Sequence, residues 1–440
     1  MEQNIQEQQE KREARRRRRI RNQVLAYVTV AAFVIALAAG VVFGVQYLTK
    51  ESHRREQQKQ DQVDQMLEDE ESIEESTKES EDVPVVVELT PEQKLDEIVN
   101  AGIEVMPLED KVAGLFIVTP ESITRVTTAV RAGDGTKEAL TKYSVGGIIY
   151  QSKNIQNAEQ FKEMIETTKL YSNYPLFIAV EDEGGSISPL AEKGLVDKQD
   201  NAKVQAENGG ADKAYAAGSA MGSYLKEYGF NLNFAPVADL NSVDNSIMKN
   251  RAYGSEADKV SPYVTSMVQG LKEQHVSACL KHFPGMGSTA QNTDEGLAST
   301  DRSAEDFRAN EFAVFQAGID AGADMVMVSH MAASSLAGDN TPCSMSSAVV
   351  TDILRRELGF DGVIITDSMS IAAVSDYYDA GEAAVLALRA GCDMILMPED
   401  FEKAYNGVLE AVQSGVISEE RINDSLRRVY RIKYADRIAE

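Results

Sequence analysis

The sequence predicts a (β/α)8 barrel of the TIM type, and three observations carry that expectation. Eight short apolar runs follow Pro84, spaced along the remaining chain. Each is nearly continuous rather than alternating, which marks strands covered on both faces. Longer helical patterns separate them, and strand-helix repetition eight times over closes most simply as a ring. A doubly wound open sheet is the competing architecture, but no GxGxxG follows the first run, which counts against a dinucleotide-binding half.

In chain order the predicted strands are Gly114 to Val118, Val145 to Tyr150, Leu176 to Val180, Asn231 to Val237, Val276 to Lys281, Met325 to Ser329, Val363 to Thr366 and Met394 to Met397. Between them the spacing predicts helices over Ala158 to Tyr171, Ala211 to Tyr228, Lys259 to Gln274, Ala304 to Ala317, Ser347 to Leu358 and Glu382 to Ala390. The barrel domain is placed at residues 93–440.

Three segments precede it. Residues 1–22 contain KREARRRRRIR and are basic, and residues 23–49 are almost wholly apolar. About 20 such residues suffice to cross a bilayer, and the dense arginines ahead of the run place the amino terminus in the cytoplasm and the barrel outside. Small residues at Ala36-Leu37-Ala38 resemble a signal-peptidase site, yet the apolar run continues to Tyr47, which favours an uncleaved, single-pass cell-membrane anchor. Residues 50–92 are rich in Gln, Glu, Lys and Ser, a composition that cannot offset the entropy of ordering. Their acidic run reads as a solvated spacer, since no turn chemistry fixes its carboxylates around a metal ion.

The formal charge of −26 argues against a nucleic-acid partner, because phosphates demand a basic face. Three widely spaced cysteines, Cys279, Cys343 and Cys392, form neither a disulfide framework nor a metal knuckle.

Polar residues gather just past the predicted strands: Gln151, Glu181-Asp182-Glu183, Asp239, Lys281-His282, Ser329-His330, Asp367 and Glu399. In a barrel these carboxyl ends share one mouth, so residues far apart in sequence converge there. Asp239 and Glu399 are also read as helix caps. Lys281 and His282 open into FPGMG, a backbone that continues as neither strand nor helix. Asp367 follows the apolar Ile364-Ile365 and precedes Ser368-Met369-Ser370; a carboxylate on a rigid strand end beside a lysine and a histidine is a candidate nucleophile. Arg251, in the loop after the fourth strand, offers a planar fork to ligand oxygens.

Together KHFPGMGST (281–289), IITDSMS (364–370), PLFIAVEDEGG (175–185), NLNFAPVADLN (231–241) and KNRAYG (249–254) resemble glycoside hydrolase family 3, and within it the bacterial β-N-acetylhexosaminidases of cell-wall recycling. The resemblance covers roughly residues 93–437. It implies a barrel, a retaining mechanism, a carbohydrate substrate with terminal N-acetylglucosamine, and no metal or organic cofactor. By that resemblance Asp367 matches the nucleophile, and Arg251, Lys281 and His282 match residues that hold sugar hydroxyls. Glu181 stands where the family usually has a sugar-binding aspartate, and Ser186 where an arginine is common.

One departure bears on catalysis. The family's Asp-x-His pair, in which the histidine donates the proton, is replaced here by Asn292-Thr293-Asp294, and none of the four histidines lies in that loop. Retaining hydrolysis needs a second group about 5 Å from the nucleophile. Asp294 is the candidate, provided the loop folds it over Asp367, and Glu295 is the alternative. A chain with neither in reach would be a non-catalytic glycan-binding protein.

Overall fold

The computed structural model of the protein describes residues 89–244 and 246–435. Its centre is a closed ring of eight parallel strands in sequence order. These are β1 (Phe116–Val118), β2 (Gly147–Ile149), β3 (Phe177–Val180), β4 (Leu232–Asn233), β5 (Ser277–Phe283), β6 (Met325–Val328), β7 (Val363–Ser368) and β8 (Met394–Leu396). β8 pairs back onto β1 through Phe116 with Ile395 and Ile117 with Leu396. The expected barrel is present. The segments 1–22 and 23–49, and 50–88 of the spacer, lie outside the described residues; among the described ones no helix is long and apolar enough to cross a membrane.

Around and beneath the ring run α1 (Pro91–Glu104), α2 (Asp134–Lys142), α3 (Ala158–Tyr171), α4 (Ala202–Glu227), α5 (Ala257–Glu273), α6 (Glu311–Asp320), α7 (Ala348–Glu357), α8 (Ala380–Ala390), α9 (Phe401–Gln413) and α10 (Glu419–Tyr434). α1 begins at Pro91, inside the segment assigned to the spacer, because Thr90 and Gln93 close a reciprocal capping box there.

Side chains alternate across each strand, and that alternation separates two cores. Phe116, Val118, Ile148, Tyr150, Ile178 and Val180 face the helical layer. Ile117, Ile149, Ala179, Cys279, Ile365 and Leu396 fill the barrel interior, where Val429 of α10 joins them. All three cysteines are buried free thiols.

The differences from the expected elements have local causes. β4 is shorter than Asn231 to Val237, and Pro236, which has no N–H to give a ladder, follows it. β5 and β7 run two residues further than expected, and each has a register irregularity, between Leu280 and Phe283 and between Ile365 and Ser368. The helix expected over Ala304 to Ala317 breaks at Asn310 (φ −123°, ψ −77°), whose side chain donates to the Asp306 carbonyl at 2.9 Å. α4 extends the expected 211–228 back to Ala202 across a break at Gly209-Gly210. α7 is wound as a π-helix.

At the amino-terminal end of the ring Asp393 ties three elements together. Its carboxylate accepts from the Ile364 N–H of β7 at 2.9 Å, Arg355 Nη2 of α7 at 2.5 Å, and Ser425 Oγ and Arg428 Nη1 of α10 at 2.8 and 3.3 Å. Its side chain is only 1 % exposed, so removing it leaves cations without their counter-charge. Asp393→Ala is expected to lower the unfolding free energy by about 3 kcal/mol, read from urea denaturation; an unchanged midpoint would contradict this ring-closing role.

Candidate active site

The site follows from the same alternation. Each interior residue at the top of the barrel is succeeded two positions later by one that points the same way into the mouth. Ile117 leads to Thr119, Ile149 to Gln151, Ala179 to Glu181, Cys279 to Lys281, and Ile365 to Asp367. A cavity of about 720 Å³ opens there, lined among others by Glu181, Arg251, His282, Asp294 and Asp367.

Its floor is an ionic cluster. Lys281 is completely buried, with Nζ 2.6 Å from both Glu181 Oε1 and Glu183 Oε1. Arg251 grips Glu183 with both forks, Nε to Oε2 at 2.8 Å and Nη2 to Oε1 at 2.6 Å. Burial by itself raises a carboxyl pKa, but the charges of Lys281 and Arg251 outweigh it and hold Glu183 well below the usual range. Burial likewise opposes charge on Lys281, and the two glutamates more than offset it, so its pKa is raised. Glu181, at 43 % exposure against 6 % for Glu183, is the member that reaches solvent.

His282 is held by Asp239. Asp239 Oδ2 lies 2.7 Å from Nδ1 and accepts the His282 backbone N–H at 3.1 Å, while Oδ1 accepts the Met286 N–H at 2.6 Å. A carboxylate partner places the ring proton on Nδ1. Nε2 is then an acceptor for Arg251 Nη2, 3.4 Å away. Gly287 makes the following turn possible, because a Cβ there would stand 1.7 Å from the Leu240 carbonyl oxygen.

Asp367 lies near the carboxyl end of β7 and lines the cavity. Among the described residues its carboxylate accepts one hydrogen bond, from the Ser368 N–H at 2.7 Å, which leaves an oxygen for the cavity. The loop after β5 folds over it. The Thr293 carbonyl accepts the Ala373 N–H at 3.0 Å, pinning the residue before Asp294 to the loop after β7, and the Asp294 N–H closes a turn on Asn292 Oδ1 at 3.1 Å. Partial burial, and after it the charge of Asp367, raise the Asp294 pKa above the ordinary aspartate value.

Residues 107–432 match the glycosyl hydrolase family 3 N-terminal domain. The chain belongs to that family. Relatives include a β-hexosaminidase A of Pseudoalteromonas piscicida, 28 % identical over 67 % of this chain and 54 % of its own length, and a β-hexosaminidase of Stenotrophomonas maltophilia, 32 % identical over 62 % and 82 %. Among solved structures, a family 3 β-N-acetylglucosaminidase from a Paenibacillus species superposes with TM-score 0.70 at 32 % identity, covering 76 % of this chain and 64 % of that one. A β-N-acetylhexosaminidase from Beutenbergia cavernae gives 0.67 at 28 %, covering 74 % and 98 %. The chain thus spans about half the length of the first of these relatives and nearly all of the last.

In this family 3 barrel the sequence-derived residues Glu181, Arg251, His282, Asp294 and Asp367 line one cavity at the mouth, and Lys281 is buried against Glu181 rather than facing the cavity. Asp294 and Glu295 are both exposed, but the cavity lining includes Asp294 and not Glu295. Glu399 lines the rim. Asp239 proves to be the partner of His282 rather than a cap. His330 is buried, bonded to Ser344 Oγ at 2.7 Å and the Ser368 carbonyl at 3.1 Å, so it supports the Asp367 turn instead of facing the cavity. Glu183 was missed as a site residue; it stands two positions beyond Glu181, and strand alternation could have found it. Among the described residues no group of His, Cys, Asp and Glu could hold a metal ion.

The two glutamates differ in a measurable way. Glu183→Gln is expected to cost about 3 kcal/mol of stability and the more exposed Glu181→Gln less than about 1 kcal/mol, by chemical denaturation. Because the folded-state pKa of Glu183 is depressed, its contribution is complete above the unfolded value of about 4.3 and is lost as pH falls toward the folded value. Glu183→Gln therefore flattens the acid limb of the stability curve. Equal costs for the two variants would contradict the assignment.

Proposed function

We propose that the protein is a retaining exo-glycosidase that removes terminal β-linked N-acetylhexosamine, N-acetylglucosamine above all, from cell-wall or related glycans. The observation that carries this reading is the Asp367 carboxylate, free toward a cavity that Asp294 also lines. The names of the family 3 relatives support the choice of sugar.

Asp367 attacks the anomeric carbon and forms a covalent glycosyl ester. Asp294 gives its proton to the glycosidic oxygen, so the leaving sugar departs as an alcohol. The resulting Asp294 carboxylate then takes a proton from water, whose oxygen attacks the anomeric carbon and releases Asp367. Glu181, Arg251 and His282, which line the cavity, hold the sugar hydroxyls, with the buried Lys281 fixing Glu181 from beneath, and binding energy there orients the ring for in-line attack. No metal or organic cofactor takes part. The non-catalytic reading is set aside because the replaced loop still presents a carboxyl with a raised pKa beside the nucleophile. For the amino-terminal part, the basic residues 1–22 and apolar residues 23–49 support a cytoplasmic start and a membrane anchor, with the barrel held outside the cell.

Asp367→Ala is expected to abolish release of an activated aryl N-acetylglucosaminide, whose leaving group needs no proton. Asp294→Ala should largely spare kcat/KM for that substrate, which reports ester formation alone, and lower kcat/KM for natural disaccharides by roughly 10²- to 10⁴-fold, while kcat falls on both because water loses its base. Because the general acid must be protonated, the disaccharide rate falls as pH rises through the raised Asp294 value, and that limb is absent with the aryl substrate. Undiminished aryl turnover by Asp367→Ala would contradict the proposal.

A further inference from the structure

Behind the loop that carries Asp294 lies a carboxyl with no part in the steps above. Glu311, the first residue of α6, is completely buried. Both feet of the loop rest on it. At the near foot, Gly285 (φ +140°) packs so closely that a Cβ there would lie 2.5 Å from Glu311 Cγ. At the far foot, Arg302 Nε stands 3.1 Å from Glu311 Oε2.

A third contact comes from the loop after β4, where Ser242 Oγ donates to Glu311 Oε1 at 3.2 Å and the Ser242 N–H donates to the Gly287 carbonyl at 3.1 Å. Between the feet the loop is stitched to itself: Ser288 Oγ to the Gly285 carbonyl at 2.7 Å, Thr300 Oγ1 to the Ser288 carbonyl at 2.9 Å, and the Arg302 N–H to Thr300 Oγ1 at 3.2 Å. These bonds join the two feet to each other, and the segment that carries Thr293 and Asp294 spans between them. Burial pushes the Glu311 carboxyl up to about 7 against the opposing charge of Arg302. Glu311 Oε2 and Arg302 Nε make no hydrogen bond among the described residues, so charge alone joins those two atoms.

We propose that Glu311 is a positioning residue for proton donation: paired with Arg302, it clamps both ends of the loop 285–302 and so holds Asp294 over Asp367. The proposal rests on Asp294 being the acid. It also gives a reason for the break at Asn310, which starts α6 with Glu311 directly behind the loop.

The test compares Glu311→Gln, which keeps shape and removes charge, with the parent protein on two substrates. A misplaced acid penalises only the substrate whose leaving group needs the proton. Expected is a fall in kcat/KM of about tenfold or more on an N-acetylglucosamine disaccharide, with little change in kcat/KM on the activated aryl glycoside, whose ester formation needs no proton. Adding Glu311→Gln to Asp294→Ala should produce no further loss on the disaccharide. Should Glu311→Gln fail to fold, Arg302→Gln is expected to show the same split and Arg302→Lys to recover the disaccharide rate. Equal losses on both substrates, with the split intact in Asp294→Ala, would overturn the clamp and leave the acid in place. No split in Asp294→Ala itself would overturn both.

Discussion

A lysine ammonium with no contact to solvent, held between two glutamates, is the constraint on which the rest of the site depends. Removing Lys281 from water costs several kcal/mol unless its partners are close and well aligned, and Glu181 and Glu183 at 2.6 Å meet that condition. Arg251 then completes a two-cation, two-carboxylate square around Glu183 and Glu181. Once the square is formed, Arg251 Nη2 faces His282, and Asp239 fixes the other side of that ring. The groups proposed to hold the sugar are therefore ordered before any ligand arrives, and little binding energy is lost in arranging them.

The barrel turns that local order into a site. Its eight strand ends lie on one ring, so the square on β3 and β5 faces Asp367 on β7 across a single cavity. A nucleophile needs a free oxygen and a fixed direction, and Asp367 has both through its single N–H partner. The acid needs a raised pKa, and Asp294 acquires it from partial burial and from Asp367 itself. Different surroundings thus suit the two aspartates to the opposite roles proposed for them. In that proposal the proton donor is a carboxyl whose proton affinity comes from its setting.

Much of this was legible in the sequence. Runs such as Val363 to Thr366 and Leu176 to Val180 announce strands buried on both faces, and the residues after them announce the mouth. Other features were not legible, for physical reasons. The irregular pairing of β5 and β7 puts His282 and Asp367 within their strands instead of past them, and no periodicity in a single strand reports pairing. Asp239 reads as an ordinary cap, and Glu311 falls inside the helix expected over Ala304 to Ala317, because their partners His282 and Arg302 are distant in sequence or hidden in an irregular loop. Glu183 is the exception, since its two-residue spacing from Glu181 was visible all along.

Covalent trapping tests the central claim most directly. A 5-fluoro N-acetylglucosamine donor with a good leaving group is incubated with the full-length protein, which is then digested and analysed by mass spectrometry. The account predicts one added sugar, localised to the peptide that contains Asp367. A sugar attached to another residue, or turnover of the parent aryl substrate with no trapped ester at all, would contradict it.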